Sequence, residues 1–78
     1  MTAIENIEIV KKVNGHGREI IQVFDKEKFN GVSKGCRIFT TLTSFEDSEI
    51  IESINFEIDA IPEVKNQIAK MIIELKNK

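Results

Sequence analysis

Seventy-eight residues, 41% hydrophobic and 31% charged with a formal net charge of −2, bound the chain to one small acidic globular domain over residues 1–78. A single cysteine, Cys36, excludes an internal disulfide, and a single histidine, His16, cannot complete a zinc site with it. The acidic balance argues against indiscriminate nucleic-acid binding, and no apolar run approaches the ~20 residues that would span a bilayer.

The first residues lack the basic and apolar regions of a signal peptide, and a lone thiol suits a reducing compartment, so a cytoplasmic setting is expected. The heavy use of Ile, Lys and Asn fits an AT-rich genome, as in many bacteria and their phages. A core this small is marginal by itself. With neither disulfide nor metal to reinforce it, a homo-oligomer or a protein partner is the expected support.

Alternation over residues 3–13 predicts a strand with Ala3, Ile7, Ile9 and Val13 on one face and Asn6, Glu8 and Lys12 on the other. Asn14-Gly15-His16-Gly17 then predicts a hairpin turn, with the return strand over 18–25. Placing Ile9 opposite Ile21 matches Ile7 with Val23 and Lys11 with Glu19, and requires a three-residue loop with Gly15 in the left-handed region. Residues 26–35 read as a loop punctuated by two glycines, with Phe29 and Val32 tucked against the core edge.

A third strand is predicted over 36–43, with Cys36, Ile38 and Leu42 inward and Arg37, Phe39, Thr41 and Thr43 outward. Residues 44–48 read as an acidic turn. A fourth strand follows over 49–58, pointing Ile50, Ile54, Phe56 and Ile58 one way and Glu49, Ser53, Asn55 and Glu57 the other. Residues 59–78 carry Ile61, Val64, Ile68, Met71, Ile72 and Leu75 at three- and four-residue steps, one stripe of a helix with Pro62 in its first turn. Glu63 and Lys76 sit at the ends that the helix dipole favours for each charge.

The expected fold is therefore α+β in the order ββββα, a four-stranded antiparallel sheet of two hairpins with one helix on one face. Its core would comprise Ile7, Ile9, Ile21, Val23, Ile38, Leu42, Ile54, Phe56 and Ile58 beneath Val64, Ile68, Met71, Ile72 and Leu75. The uncovered sheet face would then carry Val10, Ile20, Phe24, Phe39 and Ile51 near Arg37. A contiguous apolar patch of that kind marks a partner site. Charge is uneven as well: residues 45–78 hold four Lys/Arg against eight Asp/Glu, with Glu46 and Asp47 opening an acidic edge.

Little in the chain suggests catalysis. Cys36 and His16 could form a nucleophile and base, but an inward strand cysteine is an ordinary packing residue far more often. The glycine-rich turn opens no helix and so lacks phosphate-loop context. Glu46, Asp47, Glu49 and Glu52 match no calcium-loop spacing. No enzyme, cofactor or metal is expected.

The leading expectation is a small non-catalytic protein-binding module that engages a partner through Val10, Ile20, Phe24, Phe39, Ile51, Arg37, Glu46 and Asp47. Small acidic chains of this size serve as accessory or inhibitor proteins in bacteria and phages, including inhibitors of host defence systems, and the analogy rests on size and charge. The alternative is a single-stranded nucleic-acid-binding domain, with Phe24 and Phe39 stacking bases and Lys11, Lys12, Arg18, Lys34 and Arg37 meeting phosphates. The ββββα order is similar to that of the positive-cofactor-four-like single-strand-binding coactivators. That resemblance is one of architecture and carries no residue roles onto this chain.

Overall fold

The computed structural model describes residues 2–27 and 35–78. A short 3-10 turn, Ile4–Asn6, leads into strands β1 (Ile7–Val13), β2 (Glu19–Asp25) and β3 (Cys36–Leu42), followed by helices α1 (Asp47–Glu57) and α2 (Pro62–Lys76). The strands form an open antiparallel sheet in the order β1-β2-β3. The fold is α+β, as expected, but it has three strands and two helices in place of four strands and one helix. Among the described residues the ββββα order, and with it the architectural similarity to the single-strand-binding coactivators, does not hold.

The segment read as a fourth strand is α1. Its buried residues are Ile50 and Ile54, with buried Ile58 one turn further. A stride of four satisfies both a period of 2 and a helical face, so those isoleucines cannot separate the two conformations. Helix-start chemistry does separate them. The Glu46 N–H donates to the Glu49 carboxylate, 3.1 Å, as in a capping box. Asp47 and Glu49 stand in the first turn, where the helix dipole favours acids. Phe56 lies off the buried stripe and is 91% exposed, where a strand would have turned it into the core.

Three residues, Gly15 to Gly17, close the first hairpin between Asn14 and Arg18. Asn14 N–H donates to Arg18 O, 2.8 Å, and the Asn14 side-chain oxygen accepts from the His16 and Arg18 N–H groups. The left-handed residue is Gly17, φ +77, and not Gly15. A three-residue hairpin loop needs positive φ at its last position. The loop expected from side-chain matching would have put His16 there, so the true loop sits one residue later and the register moves by two. Ile9 faces Val23 and Lys11 faces Ile21. Lys11 and Glu19 still meet, diagonally, at 3.6 Å.

A single apolar core fills the space between the sheet and both helices. Ile7, Ile21, Val23 and Phe39 pack there with Ile50, Ile54, Ile58, Val64, Ile68, Ala69 and Ile72, and Ile4, Ile9, Ile38, Ala60 and Leu75 border them. Helix α2 follows its expected plan: Pro62 occupies the first turn after Ile61 as N-cap, and Lys76 stands in the last. Met71 and Phe56, both expected in the core, are exposed.

Phe39 is the largest change of face. It pairs with Val23 on the core side and is only 3% exposed. In β3 either phase of alternation leaves an apolar residue outside, and burying the aromatic ring removes more area from water than burying Leu42. An irregularity in the β2–β3 ladder between Val23 and Phe24 absorbs Ile38, so Cys36 returns to the side of its partner Asp25.

Asp25 is a buried carboxylate with its partners in place. Thr2 Oγ1 donates to it at 3.2 Å and the Glu27 N–H at 3.0 Å. Thr2 N–H also donates to Asp59 O, 3.1 Å, so the N-terminal segment is fastened at both the end of β2 and the link between the helices.

Candidate partner-binding surfaces

On the sheet face turned away from the helices, the register aligns Glu8, Phe24 and Arg37 in one row. Val10, Gln22 and Thr40 form the next, and Lys12, Ile20 and Leu42 the third. Val10, Ile20, Phe24 and Arg37 therefore share this face, as the sequence led us to expect. Phe39 and Ile51 do not, the one being a core residue and the other a half-exposed residue of α1. Ile20 and Gln22 are buried and Phe24 is half-buried, so the face presents less apolar surface than its composition promised.

The acidic edge is a helix. Glu49, Glu52, Ser53, Phe56 and Glu57 line one shallow hollow on the outer side of α1. Their spacing places them on one flank of the helix, beside the Ile50–Ile54 stripe, with Glu52 and Phe56 turned farthest from it. Glu46 and Asp47 stand at the start of the same helix, and the Asp47 carboxylate pairs with the Lys76 ammonium. The sequence holds no lysine or arginine between Arg37 and Lys65, so the rest of this acidity has no counter-charge nearby in the chain.

Part of the outer face of α1 adds nothing to the helix that carries it. Glu57 lies at the C-terminal end, where the dipole disfavours an acid; α1 has no basic residue of its own in the last turn, and the Lys65 ammonium reaches over from α2 to the Asn55 carbonyl, 2.8 Å. Glu49 and Glu52, three residues apart, repel each other. Phe56 keeps its ring in water, with no packing in return. Glu49 serves the helix as acceptor for the Glu46 N–H, but the exposed Phe56 ring is not explained by packing within the chain. Sequence reasoning named Glu46 and Asp47 but missed Glu52, Phe56 and Glu57 as one surface, because only the helical period brings them together.

Ile51 lies in a separate groove between α1 and α2, with Asn66, Ala69, Lys70, Ile73 and Glu74. It does not extend the sheet face.

Among the described residues, the expected basic positions differ in surroundings. Lys11 Nζ donates to the backbone oxygens of Leu75 (3.3 Å) and Lys78 (3.2 Å), which ties it to the end of α2. Lys12 and Arg18 are exposed near the hairpin, and Arg37 lies beside Phe24 across the ladder. Lys34, Phe29 and Val32 fall outside the described residues. With Phe39 in the core, the pair of stacking aromatics expected on the sheet face is reduced to the half-buried Phe24.

Cys36 and His16 lie near opposite ends of β2, about 20 Å apart at the usual strand rise. That distance separates this thiol from this imidazole. Among the described residues no group of His, Cys, Asp and Glu is placed to hold a metal ion, and no helix is long and apolar enough to cross a membrane. Comparison with protein-family models, curated proteins and solved structures finds no match to this chain.

Proposed function

We propose that the protein is a small non-catalytic protein-binding module of the accessory or inhibitor kind that docks on a basic partner surface through the outer face of α1. Phe56, 91% exposed among Glu49, Glu52 and Glu57, carries the reading. An aromatic ring ringed by charge is the usual shape of a binding hot spot: the ring fills a pocket and supplies most of the affinity, while the surrounding charges steer approach and reject wrong partners. The complementary surface would hold an apolar pocket rimmed by Lys or Arg. Exposed charges would make the association rate fall with salt, since the Debye length shrinks to about 8 Å at physiological ionic strength.

The test is affinity capture from cells of the source, comparing the wild type with Phe56→Ala and with the charge reversal Glu52→Lys. Both substitutions are expected to abolish recovery of the same partner, with Val10→Asp on the sheet face leaving it intact. A partner retained by both α1 variants and lost with Val10→Asp would move the binding site to the open sheet. A labelled single strand, tested in parallel, is expected to show no shift at about 50 mM salt, where even non-specific binders respond. A shift there would favour the nucleic-acid reading instead.

A further inference from the structure

We infer that two copies of this chain join edge to edge through β1, pairing it antiparallel with itself about a twofold axis at Val10 to make one continuous six-stranded sheet. Among the described residues strand β1 has only β2 beside it. Its ladder alternation is anchored at both ends, by Asn14 N–H to Arg18 O and by Lys26 N–H to Asn6 O, each 2.8 Å. Even-numbered residues therefore bond across to β2. The N–H and C=O groups of Ile9, Lys11 and Val13 and the C=O of Ile7 point to the outer edge, while the Ile7 N–H is taken by Ile4 O of the preceding 3-10 turn. Among the described residues no other backbone pairs with that edge beyond this bond at Ile7.

The order Ile-Glu-Ile-Val-Lys-Lys-Val is self-complementary in one register. With Val10 opposite Val10 of the second copy, residues 9 and 11 meet as hydrogen-bonded pairs and the Val13 N–H meets the Ile7 C=O, as the ladder requires. Glu8 then faces Lys12 of the second copy and Lys12 faces its Glu8, two opposite-charge pairs flanking an apolar centre. Shifting the register toward the turn sets Lys11 against Lys11. Shifting it the other way leaves Glu8 against Val10 and shortens the ladder.

Exposure fits the same seam. Val10 is 37% and Val13 63% exposed, and the register places Val13 against Ile7 of the second copy. On the helix side, half-exposed Met71 and Ile9 line a hollow beside this edge, which a second copy would face with its own Met71. The opposite edge lacks these features. Strand β3 is broken by its irregularity at Ile38 and carries Arg37 with no acid to match it, both of which blunt an edge. Helix α1 packs on the β3 side and α2 on the β1 side, so the dimer would leave both acidic faces free for a bivalent partner contact.

Sedimentation equilibrium tests the inference. The wild type is expected to move from 8.9 kDa toward twice that mass as concentration rises, across a range of about 10 μM to 1 mM suited to a small interface. Glu8→Lys and Lys12→Glu should each weaken self-association about 10- to 30-fold, because each turns two attractive pairs into two repulsive ones. An equimolar mixture of the two variants should restore the dimer, since a chain with lysine at both positions then meets a chain with glutamate at both. A wild type that stays monomeric throughout would overturn the inference, as would a dimer that both single variants keep, or a mixture that fails to associate. None of these outcomes depends on α1, so the dimer and the partner-binding reading fail separately.

Discussion

Replacing Phe39 and Phe56 in turn separates the observed fold from the four-stranded one that alternation suggested. In that sheet Phe56 would lie in the core and Phe39 on the open face. In the structure the roles are exchanged, with Phe39 3% and Phe56 91% exposed. Truncating a buried phenylalanine to alanine costs about 3–5 kcal/mol, from lost transfer energy and the cavity left behind. A domain of this length has a total stability of roughly 4–12 kcal/mol, so Phe39→Ala should leave the protein barely folded or unfolded at 25 °C.

For Phe56 the hidden tenth of the side chain is worth about 0.3 kcal/mol, a tenth of full burial. Phenylalanine and serine have similar helix propensities, so Phe56→Ser should change stability by less than about 0.5 kcal/mol. At roughly 4–8 °C per kcal/mol in a domain of this size, that is a Tm shift of under about 4 °C. Thermal and urea unfolding followed by far-ultraviolet circular dichroism reads both variants. A loss above about 2 kcal/mol from Phe56→Ser, together with a neutral Phe39→Ala, would refute the assignment of α1 and return residues 49–58 to the sheet.

Two further substitutions test local structure. Asp25→Ala removes the acceptor for Thr2 Oγ1 and the Glu27 N–H at a buried position, and should cost about 1–3 kcal/mol in urea unfolding; a neutral result would show that the N-terminal segment is not held there. Gly17→Ala forces a Cβ into the left-handed region, φ +77, and should cost about 1–2 kcal/mol, whereas Gly15→Ala has open space around it and no positive φ and should be close to neutral. Equal costs at the two glycines would contradict the three-residue loop.

Three strands and the closing helix are legible because each has a feature that only one conformation satisfies. Helix α2 has Pro62 in its first turn and six apolar residues at helical steps. Strands β1 and β2 flank a turn sequence with few other uses. Helix α1 lacks such exclusivity in its apolar pattern, since Ile50, Ile54 and Ile58 fit either period. The deciding signals were polar and local: a glutamate at the N-cap position, another three residues later, and an acidic first turn. The phase of β3 was illegible for a related reason. Ile38 and Phe39 are adjacent apolar residues, and a ladder irregularity cannot be seen in a single strand's sequence.

The misreading of α1 also hid the candidate site, because a surface is defined by which residues share a face. Under a period of 2, Glu49 and Glu57 fall on one side and Glu52 and Phe56 on the other, which leaves two ordinary half-polar faces. Under the helical period the same residues gather around one exposed ring. The charge asymmetry was visible in the sequence, but its meaning was not. Acids spread along an edge strand would be a solubility device. Acids gathered around a solvent-exposed phenylalanine, with Glu57 at the end that the helix dipole disfavours, are the pattern on which the proposed partner contact rests.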